Sequence, residues 1–298
     1  MKLFEILNNY SKMIKLSHTI FALPFALLSS LLAILNSNLQ KEEIYFKLIL
    51  ICICMFSARS AAMGFNRYID SEFDSKNLRT SIREIPSGKI SKNAVLFFTI
   101  FFSLVFICAC YLINPLCFLL SFPTLFIILF YSFTKRFTFL CHFILGFGIG
   151  ISTSGAWAAI LNEIALLPAL FSFGLTFHIA GFDILYSIQD REFDKEQGLF
   201  SIPSRFSLKT SFYIARTSHI LAFSIFVFAG SIGHLGFYYY IFLGITGILF
   251  LIEHLLVKED DLTKIPIAFF HINASISIVL FIGILFDKWS LLIEKFYT

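Results

Sequence analysis

Charged residues are scarce in this chain of 298 residues. Asp, Glu, Lys and Arg make up only 14% of it, whereas hydrophobic residues make up 58% and the mean hydropathy is +0.83. A soluble domain of this length needs a far more polar surface. The shortage of charge therefore excludes a soluble enzyme, a nucleic-acid-binding module and a disordered chain, and it predicts a polytopic protein of the lipid bilayer.

Cysteine is sparse as well, with six residues that all lie in apolar runs. Cys52 and Cys54 are two positions apart, as are Cys108 and Cys110, so each pair would point to nearly opposite faces of a helix. One helix cannot then offer two thiols to the same metal ion. We interpret the cysteines as small apolar residues and expect no disulfide framework.

Nine apolar stretches approach or exceed the roughly 20 residues that a helix needs to cross a bilayer, so the chain is expected to be all-α. They are residues 16–36, 43–65, 93–113, 114–134, 140–161, 166–188, 211–230, 235–255 and 265–286. The amphipathic segment before them, residues 1–15, predicts a helix in the membrane interface. Lys and Arg concentrate in that segment and in the linkers after the even-numbered spans, which predicts a cytoplasmic N terminus.

Two acidic segments repeat one pattern. Residues 66–77 read NRYIDSEFDSKN and residues 186–197 read YSIQDREFDKEQ, so both contain D-x-E-F-D. Four predicted spans separate them, an even number, so both segments emerge on the same side of the membrane. Inverted transporter repeats would place them on opposite sides. The repeat predicts one site within a single domain, residues 1–298, built from two parallel four-helix pseudo-repeats and a last helix.

The acidic residues recur at helical spacing. If the spans continue outward as helices, each segment has three polar residues on one face. These are Asn66, Asp70 and Asp74 in the first segment, and Tyr186, Asp190 and Asp194 in the second. Carboxylates on one face repel one another unless cations lie between them, and Mg²⁺ typically bridges protein carboxylates to substrate phosphates. Two copies in matched register favour a magnesium–diphosphate site over an ordinary solvated loop.

Two further charges lie deeper in the predicted spans. Arg59 is seven residues before Asn66, and Asp183 is seven before Asp190, so each lies two helical turns below its acidic segment. A charge at that depth costs about 2.5–3.5 kcal/mol, so both are expected to face a cavity. The alternative is a buried pair of Arg59 with Asp183 that stabilises the helix bundle.

Basic residues accompany the acidic segments and point to an anionic ligand. The candidates for binding a diphosphate are Arg79, Arg83, Lys89, Lys135 and Arg136. A pocket that combines carboxylates with such cations suits a metal-chelated diphosphate. The alternative for any one of these residues is the ordinary enrichment of Lys and Arg in cytoplasmic loops.

These motifs give nearly the whole chain a resemblance to the UbiA superfamily of intramembrane aromatic prenyltransferases. The matching segments are 66–74 (N-x3-D-x3-D), 79–88 (RTSIREIPSG), 131–138 (YSFTKRFT), 183–194 (D-x2-Y-x3-D-x3-D) and 269–277 in the last span. Two positions depart from the family pattern. Arg67 stands where many relatives have Asp, and Glu84 stands where Pro is common. These two departures affect the assignment to a subfamily and not the resemblance to the superfamily.

The resemblance implies nine helices around a central cavity that is capped on the cytoplasmic side and opens laterally to the bilayer. It implies two Mg²⁺ ions held by Asn66, Asp70, Asp74, Asp190 and Asp194. The substrates would be a polyprenyl diphosphate and an aromatic acid. The protein would span the cytoplasmic membrane, with its active site facing the cytoplasm.

The implied activity is transfer of a polyprenyl group to a hydroxylated aromatic acid in quinone biosynthesis, with 4-hydroxybenzoate of the ubiquinone route as the leading acceptor. Asp183 is the candidate for orienting the phenol or assisting deprotonation, Arg59 for binding the acceptor carboxylate or the diphosphate, and Tyr186 for orienting either substrate. A dihydroxynaphthoate of the menaquinone route is an alternative acceptor, and Arg67 and residues 198–206 favour it. A transporter with acidic ion sites is the alternative from another class, but it predicts inverted repeats.

The seven histidines show no metal-ligand spacing, and we interpret them as interfacial or helix-packing residues. Two of them, His18 and His142, lie near expected cytoplasmic helix ends and are candidates to touch substrate. Asn273, inside the last predicted span, is expected to form hydrogen bonds between helices.

Overall fold

Helices and turns make up the described part of the chain, which covers residues 2–15, 19, 21–258 and 261–297 of a computed structural model. No strand occurs there, so the predicted all-α class is confirmed. The helices are α1 (Lys2–Met13), α2 (Leu23–Leu35), α3 (Lys41–Lys76), α4 (Lys92–Ile113), α5 (Pro115–Thr134), α6 (Cys141–Leu161), α7 (Leu166–Ser187), α8 (Arg191–Glu196), α9 (Ile202–Arg205), α10 (Leu208–Ile232), α11 (Phe237–Leu256), α12 (Ile265–Ile267), α13 (Asn273–Asp287) and α14 (Trp289–Tyr297). His18 lies outside the described residues.

Eight helical segments of the described chain are long and apolar enough to cross a membrane. They are α3, α4, α5, α6, α7 with its extension to Glu196, α10, α11, and α13 with the turn before it. The first of the nine predicted spans, residues 16–36, begins outside the described part, and α2 within it has 13 residues. The count of nine therefore stays a prediction, as do the two pseudo-repeats.

Polar caps separate consecutive helices in the apolar sequence. Asn114 interrupts the run between α4 and α5: its side chain accepts a hydrogen bond from the backbone N–H of Cys117, and Pro115 supplies the first residue of α5. Asparagine caps and proline at the first position both favour a helix start. The Asn114 amide also donates to the carbonyl of Ala158 at 2.8 Å, which fastens this corner to α6.

Two glycines bring α6 and α7 into close contact. A Cβ atom at Gly146 would lie 2.3 Å from the carbonyl oxygen of Thr176, and one at Gly150 would lie 2.5 Å from that of Ser172. Small residues at such spacing let helix backbones approach inside a membrane, where packing rather than the hydrophobic effect drives association. The contact matters for the site because α7, the most buried of the candidate spans, carries Asp183 and Tyr186.

The two acidic segments adopt different local structures. Helix α3 continues to Lys76, so Asn66, Asp70 and Asp74 share one helix as predicted. The second segment also stays helical to Glu196, but less regularly, because α7 ends at Ser187 and a 3₁₀ turn, Ile188–Asp190, precedes α8. The turn lets α8 pack against α9, where the Ser201 hydroxyl donates to Asp194 at 2.8 Å.

We predict that Gly146→Ala lowers the thermal stability of the protein in detergent. The added methyl group meets backbone rather than a movable side chain, and such overpacking typically costs about 1–3 kcal/mol. The matched control is Gly155→Ala on the same helix, where nothing lies within 4 Å of the new Cβ. That change should be neutral or stabilise by up to about 1 kcal/mol, since alanine favours helix over glycine. Equal effects of both substitutions on the melting midpoint would contradict the close contact.

Candidate active site

Both acidic segments line one cavity of about 310 Å³. Its polar end holds four aspartates, two from α3 and two from the turn and helix that follow α7: Asp70, Asp74, Asp190 and Asp194. Its apolar end is lined by side chains that include Phe21, Phe182 and Phe269. The cavity thus combines a charged mouth with an aromatic interior.

The structure brings most of the predicted site residues to this cavity. Those that line it are Arg59, Asn66, Asp70, Asp74, Arg79, Arg83, Lys135, Arg136, Asp183, Tyr186, Asp190 and Asp194. Lys89 is the exception, because it is exposed on the linker after α3 and does not line the cavity. Its predicted contact with a diphosphate gains no support.

On α3, each aspartate pairs with its own basic side chain. Arg83 donates to Asp74 at 2.6 Å, and Arg136 donates to Asp70 at 3.3 Å. Asn66 donates from its side chain to the second oxygen of Asp70 at 2.8 Å. These contacts offset the repulsion between two carboxylates one helical turn apart.

The second acidic segment is paired in the same way. Arg79 binds Asp190 through two nitrogens in a fork geometry, and it also donates to the Tyr186 hydroxyl at 3.0 Å. Lys135 lies 2.8 Å from Asp194, whose side chain is fully buried. Arginine is suited to such two-point contacts with planar oxyanions, and a diphosphate offers similar oxygens.

The pairing sets the pKa of the two basic groups that lie outside the spans. Burial alone would lower the pKa of Lys135, but the neighbouring Asp194 carboxylate holds that pKa above the ordinary lysine value. Burial alone would likewise lower the pKa of Arg79, but the Asp190 carboxylate raises it above the ordinary arginine value. Lys15, which also lines the cavity, has a lowered pKa because of burial and the nearby Arg67. Lys135 and Arg79 are therefore firmly cationic at neutral pH.

The donor chemistry of the cavity fits a hard metal ion. The candidate ligands are all oxygens, and one of them, Oδ2 of Asp74, is buried without a hydrogen-bond partner. Such oxygen sets suit Mg²⁺. In the described chain no three His, Cys, Asp or Glu side chains lie close enough together to hold a metal ion. The same oxygens are instead paired with arginine and lysine, a pairing that the sequence did not predict.

Asp183 pairs with His142 and not with Arg59. Nδ1 of His142 lies 2.7 Å from Asp183, while Arg59 donates to the backbone carbonyl of Lys15 at 3.3 Å. The alternative of a buried Arg59–Asp183 pair is therefore wrong. The backbone N–H of Ile202 donates to Nε2 of His142 at 3.3 Å, which leaves Nδ1–H to donate to Asp183. Apart from the position of His142 near a helix end, no sequence pattern indicated this partner.

The loop between α8 and α9 ties the second acidic segment to the corner between α5 and α6. The backbone N–H of Phe200 donates to the carbonyl of Lys135 at 2.6 Å, and the Cys141 thiol lies 3.5 Å from the carbonyl of Phe200. Together with the contact from Ile202 to His142, these bonds fix Lys135, His142 and Asp194 relative to one another. The two acidic segments differ in this respect, since α3 has no comparable backbone tether among the described hydrogen bonds.

A second polar cluster lies behind the cavity wall. Nδ1 of His219 is 3.0 Å from Nε2 of His254 and 3.6 Å from Glu253, and the ring of His178 packs against the ring of His219. Three of the seven histidines are thus brought together by α7, α10 and α11, where they pack between helices as interpreted from the sequence. Asn273 donates to Glu253 at 3.0 Å, which confirms the expected bond between helices.

Comparisons with known proteins agree with this architecture. A family model described as the UbiA prenyltransferase family matches residues 22–275. The 4-hydroxybenzoate octaprenyltransferase of Francisella tularensis subsp. novicida (strain U112) is 29% identical over 236 residues, which cover 79% of this chain and 82% of that protein. The apo structure of a UbiA homolog from Aeropyrum pernix K1 is 27% identical, with a TM-score of 0.81 over 91% of this chain and 98% of its own.

A more distant solved structure is similar in fold. A UbiA homolog from Archaeoglobus fulgidus bound to GPP and Mg²⁺ has a TM-score of 0.65 over 93% of this chain and 99% of its own. At 19% identity the likeness shows the fold alone.

We predict that Lys135→Met destabilises the protein by about 2–4 kcal/mol, because it leaves a buried carboxylate unpaired. This loss of stability is smaller than the loss expected for a fully buried ion pair, since the Lys135 side chain is 34% exposed. Because the pKa of Lys135 is raised in the folded protein, the ion pair contributes its full stabilisation at neutral pH. That stabilisation is lost only as the pH rises through the raised pKa. The measurement is the thermal midpoint in detergent at pH 7. The control is Lys195→Met, which removes a surface contact to Glu192 and should change little; a shift as large as that of Lys135→Met would count against the pairing.

Proposed function

The chain belongs to the UbiA prenyltransferase family, and we propose that it transfers a polyprenyl group from an allylic polyprenyl diphosphate to a hydroxylated aromatic acid. The observation that carries the proposal is the meeting of two acidic segments and four basic partners at one end of a single cavity. The similarity to a 4-hydroxybenzoate octaprenyltransferase of Francisella supports an aromatic acceptor of the 4-hydroxybenzoate type. The GPP and Mg²⁺ in the Archaeoglobus structure support a prenyl diphosphate donor.

The diphosphate end of the reaction lies at the charged mouth. Mg²⁺ would be held there by Asn66, Asp70, Asp74, Asp190 and Asp194. When bound, the ion supplies Lewis-acid stabilisation of the leaving diphosphate. The basic partners of these carboxylates, Arg79, Arg83, Lys135 and Arg136, line the same cavity and would bind the diphosphate oxygens.

The acceptor end lies deeper, where Arg59 and Asp183 line the same cavity. Arg59 binds the carboxylate of the aromatic acid, and its Nε is buried without a hydrogen-bond partner in the structure. The C–O bond of the donor breaks with its electron pair going to the diphosphate, and a ring carbon of the acceptor forms the new C–C bond. Asp183, oriented by the Nδ1–H of His142, orients the acceptor hydroxyl and accepts a proton as aromaticity is restored.

The proposed orientation in the membrane determines where each end of the cavity lies. We propose a multi-pass protein of the cytoplasmic membrane with its N terminus and the charged mouth toward the cytoplasm, since Lys and Arg concentrate on that side. The aromatic interior of the cavity then lies at membrane depth, where the apolar tail of the donor is soluble. Exclusion of water there protects the allylic cation from capture as an alcohol.

We predict that Asp190→Asn lowers release of diphosphate by about 100- to 1,000-fold, the typical cost of removing one electrostatic group from a catalytic site. The assay supplies membranes with an allylic diphosphate, an aromatic acid and Mg²⁺, and a parallel reaction contains EDTA, which should abolish release in the unaltered protein. The control Glu192→Gln changes an exposed carboxylate two residues away and should retain activity. Full activity of Asp190→Asn, or release that survives EDTA, would overturn the metal site.

The acceptor site has its own test. We predict that Arg59→Met raises the KM for the aromatic acid by about 10- to 150-fold, the equivalent of one charge-assisted hydrogen bond. The KM for a phenol that lacks the carboxylate should not change. Arg216→Met, which alters an exposed arginine of α10, is the control. An equal effect on both acceptors would assign Arg59 to the diphosphate instead. The same reactions, run with 4-hydroxybenzoate and a dihydroxynaphthoate, identify the acceptor by product mass.

A further inference from the structure

The last membrane helix begins with a distorted turn beside the cavity. Residues Ala268–Ile272 form a π-helical turn, a feature that proteins use mostly at functional sites. Such a turn leaves backbone carbonyls outside the regular α-helical ladder. Here the side-chain amide of Asn273 donates to the carbonyls of Ala268 at 3.1 Å and Phe269 at 3.2 Å. Asn273 therefore stabilises the turn from within.

A buried carboxyl group on the neighbouring helix holds Asn273 in place. The same amide lies 3.0 Å from Oε1 of Glu253 on α11. Asn273 is 0% exposed and Glu253 is 1% exposed, so neither contact competes with water. A polar bond of this kind is costly to break in a protein interior, because the partner left behind stays buried. The turn is thus fastened to α11 by one hydrogen bond.

The turn places the Phe269 ring in the cavity against three other aromatic rings. Its centroid lies 4.1 Å from that of Tyr186, 5.2 Å from that of Phe182 and 5.6 Å from that of Phe21. All four residues line the cavity, and we call them the aromatic wall. Phe270, the next residue of the turn, packs on Phe21 but does not itself line the cavity.

The aromatic wall adjoins the place where the diphosphate would leave. Tyr186 belongs to the wall and its hydroxyl accepts a hydrogen bond from Arg79, which binds Asp190. The guanidinium carbon of Arg79 lies 5.4 Å from the Tyr186 ring centroid. The aromatic wall therefore begins beside the charged groups of the mouth. A carbon that loses its diphosphate there would lie next to the wall.

We propose that Phe269 is a catalytic residue that faces the allylic cation, and that Asn273, held by Glu253, is the positioning residue that presents it. The proposal rests on the proposed function. Aromatic faces attract cations through their quadrupole, and an apolar aromatic lining disfavours water beside a cation. After the C–O bond breaks, two outcomes compete. Attack by the acceptor ring forms a C–C bond and releases a proton, whereas attack by water forms a C–O bond, releases a proton and yields the prenyl alcohol.

The competition supplies a readout that does not depend on how much protein folds. The experiment measures the ratio of prenyl alcohol to prenylated aromatic product, together with kcat and the KM of the donor. For Phe269→Leu, which keeps the apolar volume, we expect kcat to fall by about 2- to 30-fold, the range of one cation–π contact. The alcohol ratio should rise while the donor KM stays constant. Phe269→Tyr, which keeps the ring, should restore both values toward those of the unaltered protein.

The positioning role is tested on the other side of the hydrogen bond. Asn273→Ala and Glu253→Leu should raise the alcohol ratio as Phe269→Leu does, whereas Glu253→Gln keeps an oxygen acceptor and should not. Matched controls come from the same segment. Phe270→Leu removes the adjacent ring, and Ser275→Ala removes a hydrogen bond to the carbonyl of His271. Both controls should leave the ratio unchanged.

Each result decides between a chemical and a purely structural role. An unchanged alcohol ratio in Phe269→Leu overturns the proposal, and so does an equal rise in Phe270→Leu, because general loosening of the turn would then be the cause. If Asn273→Ala does not fold, the comparison of Glu253→Leu with Glu253→Gln tests the same bond. If the unaltered protein releases no diphosphate, the proposed function itself fails, and that failure is seen before any variant is compared.

Discussion

The structure depends on the pairing of four aspartates with four basic side chains at the mouth of one cavity. Bringing four carboxylates together at a membrane surface would cost more than packing can return if their charges stood alone. Each therefore has its own cation: Arg136 for Asp70, Arg83 for Asp74, Arg79 for Asp190 and Lys135 for Asp194. The same charged groups line the cavity in which we propose that a metal-chelated diphosphate binds, so the proposed ligand would meet charges that are already paired with one another.

The helices around this mouth hold the four ion pairs in place. Close contact through Gly146 and Gly150 sets α6 against α7, and the cap at Asn114 fastens the opposite corner. On this frame three kinds of group line one cavity: the acidic pairs, Asp183 with its partner His142, and the aromatic wall, whose Tyr186 adjoins Arg79. Their chemistry matches that of the substrates that we propose, which combine a diphosphate, a phenol and an apolar chain.

Much of this arrangement could be predicted from the sequence, where helical periodicity carried the information. The register of Asn66, Asp70 and Asp74 was correct because α3 is one uninterrupted helix. The 3₁₀ turn in the second segment was not predicted, because periodicity alone does not show where a helix tightens. Pairing partners were the weakest part of the prediction. No local pattern indicates that Asp183 pairs with His142, or that His178 and His254 both meet His219, because these contacts form only when distant helices meet.

The backbone tether between Phe200 and Lys135 makes the two halves of the mouth unequal. Lys135, His142 and Asp194 are joined through backbone bonds of residues 199–202, whereas Asp70 and Asp74 lie at the end of α3 and are held by side-chain contacts from Arg136 and Arg83. Residues 199–202 therefore reach both parts of the proposed site at once: the backbone N–H of Ile202 bonds His142, the Ser201 hydroxyl bonds Asp194, and Leu199 lines the cavity. A change in the conformation of this short stretch would move the partner of Asp183 and one of the four acidic groups together.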